Sequence, residues 1–330
     1  MSGGPVRCLH EAAAVPGAAA PYDTVHLRVF HPTAPTGDER ERQTGEFPAD
    51  PAEAPWPVVV VLPGVNIGPE GYRWLAERWV GVGCCVVTLA LVGEIMPGAA
   101  GITPGMDLEA CRPDTYGTRP SCTTLGPVLG ALERLGRAGR LAGLLDLDRV
   151  VLAGHSAGGT MALQNASTDW FPVAAVLSYA SHTMASTMFG WPPGSVLPVP
   201  SALPTLVMGG EFDGVMAASA VRYGTDDHVE DPVVRTFDEG VPHRDGPEPT
   251  AHLAILRGAT HTSVIHPADH TTARGFLDPE PGRPDAAVRH TVAELTSAFL
   301  AGHVLDRPHE RARLRQLLAD GSSVVHGRSR

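Results

Sequence analysis

The sequence predicts an α/β protein in which a mostly parallel central sheet carries helices on both faces. Three observations lead there. Short, continuous Val- and Leu-rich runs recur along the chain, as strands buried on both faces require. Segments with apolar residues at helical spacing fall between them. Gly and Pro punctuate the junctions, and repeated strand-helix alternation is the pattern of a parallel sheet.

Residues 23–32, DTVHLRVFHP, alternate Val25, Leu27 and Val29 with polar neighbours, so an early antiparallel strand is expected. Residues 33–55 are charged, Pro-rich and aperiodic, and read as a solvated loop. Pro57 to Leu62 is the first doubly buried strand and ends in Pro63-Gly64. Within 69–82, Tyr72, Leu75, Trp79 and Val82 share a helical face that stops at Gly83. Cys84 to Leu89 is a second buried strand. Further strands are expected at 149–153, 173–178, 204–208 and 252–256, with helices at 125–141, 158–166 and 285–304 and an Arg-rich amphipathic piece at 310–318. Three aperiodic insertions, at about 90–122, 182–203 and 224–250, break the alternation, as lids and substrate loops do. The closing SSVVHGRSR reads as a loose tail. No repeat or linker divides the chain. A single domain over 1–330 is therefore expected, with a core at about 25–300 and a C-terminal helical extension at 305–330.

Composition narrows the chemistry. The chain has 330 residues and a net charge of −11, from 36 acidic and 25 basic side chains, and every basic one is Arg. Without lysine there is no Schiff-base chemistry and no phosphate-binding P-loop. Dispersed arginines in an acidic chain speak against nucleic-acid binding. No apolar run approaches the ~20 residues of a membrane helix, and the N-terminus lacks the basic start and apolar stretch of a secretory signal. A cytoplasmic protein is expected. The five cysteines lack CxxC spacing and read as small buried hydrophobes in a reducing compartment. Cys111 and Cys122 could pair, but nothing requires it.

The sharpest signal is VVLAGHSAGG, residues 150–159, a G-x-S-x-G motif placed between a Val-rich strand and a helix. Gly154 and Gly158 relieve crowding at a strained turn that lifts the Ser156 hydroxyl above the sheet. At the helix start, the Ala157 N–H can donate to a developing oxyanion. Serine needs a base, and the base needs an orienting group. Among fifteen histidines, His261 is favoured, since it follows a strand and a Gly turn at the sheet edge where open α/β sheets hold their sites. His266 and His270 are its nearest rivals. With His261 they lack the carboxylate-rich shell of a metal site. His155 points wrongly for a base and reads as a packing or polar support residue that also borders substrate. Asp213, after a buried strand and a Gly-Gly turn, is the expected acid, ahead of Glu211 and Asp238. The chain order Ser156, Asp213, His261 is that of α/β-hydrolases. A second oxyanion donor is expected from the N–H of Val65, freed by the turn at Gly64.

These stations together resemble the α/β-hydrolase superfamily, and within it the cutinase-like polyester hydrolases, platelet-activating factor acetylhydrolases and dienelactone hydrolase relatives. The segments that carry the resemblance are LPGVN, YRWLAERWVGVGCCVVTL, GHSAGG, PTLVMGGEFDGV and GATH. In the polyester hydrolases the residue after Pro-Gly is commonly aromatic and lines the substrate cleft; Val65 stands there in this chain as the expected substrate-lining residue, which argues against aromatic polyesters. The resemblance implies an α/β-hydrolase fold with lid-like insertions and hydrolysis of an ester or related acyl bond of a small molecule. It implies a Ser156, His261, Asp213 triad, no metal and no organic cofactor. Met184, Met188, Phe189 and Trp191 would line a covered pocket. Any anionic part of the substrate would fall to Arg112 or Arg119, to His, or to backbone N–H groups. Two other readings stay open: a natural-product tailoring enzyme using the same machinery for cyclisation or carbon-carbon bond formation, and a non-catalytic ligand-binding member.

Overall fold

The computed structural model describes residues 4–96, 98–224 and 231–330. In chain order the strands are β1 (Val6–Ala14), β2 (Thr24–Pro32), β3 (Trp56–Leu62), β4 (Cys85–Met96), β5 (Ala99–Thr103), β6 (Leu145–His155), β7 (Val173–Tyr179), β8 (Thr205–Gly210), β9 (Ala251–Leu256) and β10 (Val324–Ser329). The helices are α1 (Glu39–Thr44), α2 (Arg73–Val80), α3 (Leu125–Ala138), α4 (Ala157–Gln164), α5 (Gly214–Ala217), α6 (Pro232–Arg235), α7 (Asp285–Phe299) and α8 (Pro308–Leu318).

All ten described strands join one sheet in the order β1-β2-β4-β3-β6-β7-β8-β9-β10, with β5 paired to β4. The centre, from β4 to β9, is parallel. The edge strands β1 and β10, the adjoining β2 and the inner hairpin strand β5 run antiparallel to their neighbours.

Period-2 alternation explains why β3 reads as an unbroken apolar run. Val58, Val60 and Leu62 pack with α3 and α4 on one face, whereas Val59 and Val61 pack with α2 and α7 on the other. Each such side chain contributes roughly 1.5–3 kcal/mol when fully buried. From β3 the chain steps to β4 on one side and later to β6 on the other. That reversal opens a crevice at the carboxyl ends of β3 and β6, which end at Leu62 and His155.

Several expectations need correction. Residues 33–55 hold α1, stabilised because Asp38 accepts a hydrogen bond from the Glu41 N–H at 2.8 Å and Gly45 ends it in a left-handed conformation. The 90–122 insertion begins as regular structure: β4 runs on to Met96 and returns as β5, hidden in sequence by the glycines at 93, 98 and 101. Part of the 224–250 insertion lies outside the described residues. The rest contains α6 and a single π turn, Thr236–Gly240. The sheet also reaches beyond 25–300. The N-terminal segment supplies β1, and the expected loose tail is β10, paired with β9. The C-terminal extension is thus a helix followed by a strand. Among the described residues no helix is long and apolar enough to cross a membrane.

Candidate active site

Strand β6 delivers the backbone to Ser156 in a sharp turn. Ser156 has φ 55° and ψ −126°, a conformation an L-residue adopts only when its surroundings enforce it. The enforcing contact is the hydrogen bond from the Ser156 N–H to the Tyr179 carbonyl at 3.0 Å. The motif's glycines are required by close approach. A Cβ on Gly158 would overlap the Leu62 carbonyl oxygen, and one on Gly154 would overlap the Gly158 backbone.

The turn after β3 meets this elbow. A Cβ on Gly64 would lie 3.3 Å from the Ser156 Cβ, so the two loops are in van der Waals contact. Asn66 holds that loop, donating from its backbone to the Ile102 carbonyl at 2.8 Å and accepting from the Ile102 N–H on Oδ1 at 3.1 Å. The β4-β5 hairpin thereby braces the loop, a role the sequence reading missed. Among the described residues, the N–H groups of Val65 and Ala157 donate to no protein acceptor.

Two further loops bring His261 and Asp213 together. His261 Nδ1 lies 3.0 Å from Asp213 Oδ1 and 2.9 Å from Oδ2, with both side chains 7% exposed. The acceptor oxygens make Nδ1 the donor, so the lone pair sits on Nε2. Asp213 Oδ1 also accepts from the Met216 N–H at 2.8 Å and so caps α5. The rival carboxylates are committed elsewhere: Glu211 accepts from the Gly258 N–H, and Asp238 pairs with Arg328. Among the described residues no hydrogen bond joins Ser156 Oγ to His261 Nε2; such bonds are often long before a substrate binds.

His155 links these stations from below. Its Nε2 donates to the His261 carbonyl at 3.0 Å, its Nδ1 faces Tyr72 Oη at 2.9 Å, and Tyr72 Oη in turn accepts from the Gly64 N–H at 3.0 Å. His155 is 3% exposed, and burial, reinforced by the nearby His261, holds its ring well below the usual imidazole range. It is a neutral internal support, with both nitrogens committed to protein rather than to substrate. A small, mainly apolar cavity of about 30 Å³ beside it is lined by Tyr72, His155 and Ser178 among others.

The expected pocket-lining residues differ in exposure. Met184 is buried, whereas Met188 is 81% exposed. Phe189 and Trp191 are half-buried. Trp191 donates from Nε1 to the Cys111 carbonyl at 2.8 Å and meets Tyr116 edge-on, which laces the second insertion to the first. Arg112 pairs with Glu109 and Arg119 with Asp107, so neither expected anion ligand is unengaged. All five cysteines, Cys111 and Cys122 included, are free thiols. Burial pushes Cys111 up to about 11 and Cys84 up to about 12, which keeps them protonated and unreactive. Among the described residues no group of three or more His, Cys, Asp or Glu is placed to hold a metal. No protein-family model matches the chain, and no curated protein matches it.

Proposed function

We propose that the protein is a serine hydrolase of the α/β-hydrolase fold that cleaves an ester, or a related acyl bond, of a small molecule. The observation that carries this reading is the His261–Asp213 pair, with Nδ1 at 2.9 and 3.0 Å from the two carboxylate oxygens, the His261 loop being hydrogen-bonded to His155 beside the strained Ser156. Ser156 Oγ attacks the acyl carbon as His261 Nε2 takes its proton. Asp213 fixes the ring and stabilises the imidazolium. The N–H groups of Val65 and Ala157 receive the oxyanion, each such donor contributing about 3 kcal/mol to the transition state. His261 then returns the proton to the leaving group, and water releases the acyl enzyme by the reverse sequence.

A fluorophosphonate probe tests the reading. Ser156 should be labelled stoichiometrically and Ser156→Ala not at all, with p-nitrophenyl acetate turnover lost in parallel. Full labelling of the alanine variant would refute it.

A further inference from the structure

Asp278 lies outside every motif in the sequence, yet its carboxylate is the only group that touches both the acid-bearing and the base-bearing loop through hydrogen bonds on a single side chain among the described residues. Oδ1 accepts from the Gly214 N–H at 3.1 Å and from the His261 N–H at 3.2 Å. Oδ2 accepts from the Thr262 N–H at 3.1 Å and the Thr262 hydroxyl at 2.9 Å. Gly214 follows Asp213 and Thr262 follows His261, so one carboxylate holds the residues next to both members of the pair.

The rest of the base loop is equally committed. The Thr260 carbonyl accepts from the Tyr179 hydroxyl, and the His261 carbonyl accepts from His155. The Thr260 N–H donates to Ser263 Oγ, whose own proton goes to Asp285. These other contacts tie the base loop to the sheet and to α7. The acid turn also meets it upstream, where the Phe212 N–H donates to the Ala259 carbonyl at 2.8 Å and the Gly258 N–H to Glu211 at 2.8 Å; Asp278 adds a clamp from a third segment, on the residues that flank His261 and Asp213. The segment carrying it sits directly on that turn, since a Cβ on Gly214 would overlap the Leu277 carbonyl oxygen.

We infer that Asp278 is a positioning residue for the proposed hydrolase reaction, setting the His261 imidazole in register with the Asp213 carboxylate by clamping their two loops together. The inference rests on the hydrolase reading for its kinetics, but the geometry it predicts can be measured without a substrate. Displacements of about 1 Å in such constellations cost on the order of 100-fold in rate, so the clamp is worth a rate effect well beyond any change in substrate binding.

The test compares Asp278→Ala, Asp278→Asn and Gly214→Ala with the parent enzyme. Active sites are titrated with a fluorophosphonate so that kcat refers to folded, labelled enzyme. Asp278→Ala should lose roughly 30- to 100-fold in kcat for p-nitrophenyl acetate with KM changed less than about threefold. Asp278→Asn keeps the acceptor that Gly214 and His261 share and should retain an intermediate rate. Gly214→Ala, which lifts the segment away, should resemble Asp278→Ala. Independently of turnover, the low-field proton resonance of the His261 Nδ1–H, assigned by its absence in His261→Gln, should broaden or move in Asp278→Ala. An unchanged resonance and unchanged kcat per titrated site in Asp278→Ala would overturn the inference. If the parent enzyme is not labelled at Ser156, the hydrolase reading fails, and the resonance alone decides the positioning role.

Discussion

Tyr72 Oη and His155 Nδ1 stand 2.9 Å apart in the interior, and this contact joins the Gly64 loop to the His261 loop. The direction of the relay is fixed. The His261 carbonyl can only accept, so His155 Nε2 donates; His155 Nδ1 must then accept from Tyr72, whose oxygen is left to accept from Gly64. Tyr72→Phe keeps the ring and removes the relay, leaving a buried acceptor on His155 and a buried donor on Gly64. The expected cost is about 1–3 kcal/mol of stability, read by urea denaturation. A fall in kcat with little change in KM should accompany it, because the Val65 N–H follows Gly64 in the loop. A variant as stable and active as the parent would show the relay to be incidental.

Glycine positions make a second prediction with an internal control. Gly158→Ala drives a methyl group into the Leu62 carbonyl and should cost about 3 kcal/mol or more, with loss of probe labelling at Ser156. Gly130, inside α3, has only the far end of Arg134 near its would-be Cβ, at 3.8 Å. Gly130→Ala should therefore be neutral or stabilise by up to about 1 kcal/mol. Equal melting temperatures for the two variants would contradict this account of the elbow.

The contrast shows what a sequence carries. The parallel strands were legible because burial on both faces leaves an uninterrupted apolar run, as in VVVVL before Gly64. The Ser156 turn was legible because tight backbone approach demands glycine at fixed spacing. Edge strands were not: β1 and β10 have one exposed side, and VVHGRS in β10 has neither a run nor a clean alternation. Asn66, Tyr72 and Asp278 were missed because their roles depend on partners far along the chain. Asp278 acts 17 residues from His261 and 64 from Gly214, a separation no local pattern encodes. Local signals did point to Asp213 and His261, which follow the ends of β8 and β9 and whose side chains meet because those strands are neighbours.

Acid sensitivity follows from an imidazole pair away from the candidate active site, one ring buried and the other half-buried. His252 on β9 and His303 in the π turn Leu300–Val304 meet at 2.9 Å between their Nε2 atoms, and His252 Nδ1 bonds to Ser329 Oγ on β10. One ring must donate and the other accept, so full protonation would set two donors against each other. Burial, helped by the His303 charge and by Arg315, lowers His252 to about 3. Burial and Arg311 lower His303 to about 4, with Glu248 opposing and Arg315 assisting. Below about pH 6.5 the unfolded chain takes up protons that the folded pair refuses, so stability must fall as pH falls toward 4 and stay level above 6.5. Each refused proton steepens the loss by about 1.4 kcal/mol per pH unit. His182, lowered to about 4 by burial and by His261, acts in the same direction. Thermal melts from pH 7.5 to 4.5 should show this decline, with a shallower slope in His303→Gln. An identical slope in the variant would exclude the pair as its source.

The C-terminal strand gives the last prediction. Val324 is 3% exposed, and Arg330 pairs through its backbone N–H and carbonyl with Ala251 at 2.9 and 3.0 Å. Its guanidinium bonds to the Val241 carbonyl at 2.6 Å and stacks on Phe237 at 4.6 Å. β10 therefore closes the edge of β9, the strand that leads through Gly258 to His261. Deleting residues 323–330 would bare a row of β9 backbone groups next to a hydrophobic core, which is a template for edge-to-edge association. Growth of aggregates eluting ahead of the parent protein on size-exclusion chromatography is expected, together with weaker fluorophosphonate labelling of what remains, because the strand that leads to His261 is no longer fixed on both sides. A loose tail would leave the elution profile and labelling unchanged, and Arg330→Ala, which keeps the strand but removes its anchor, should fall between the two.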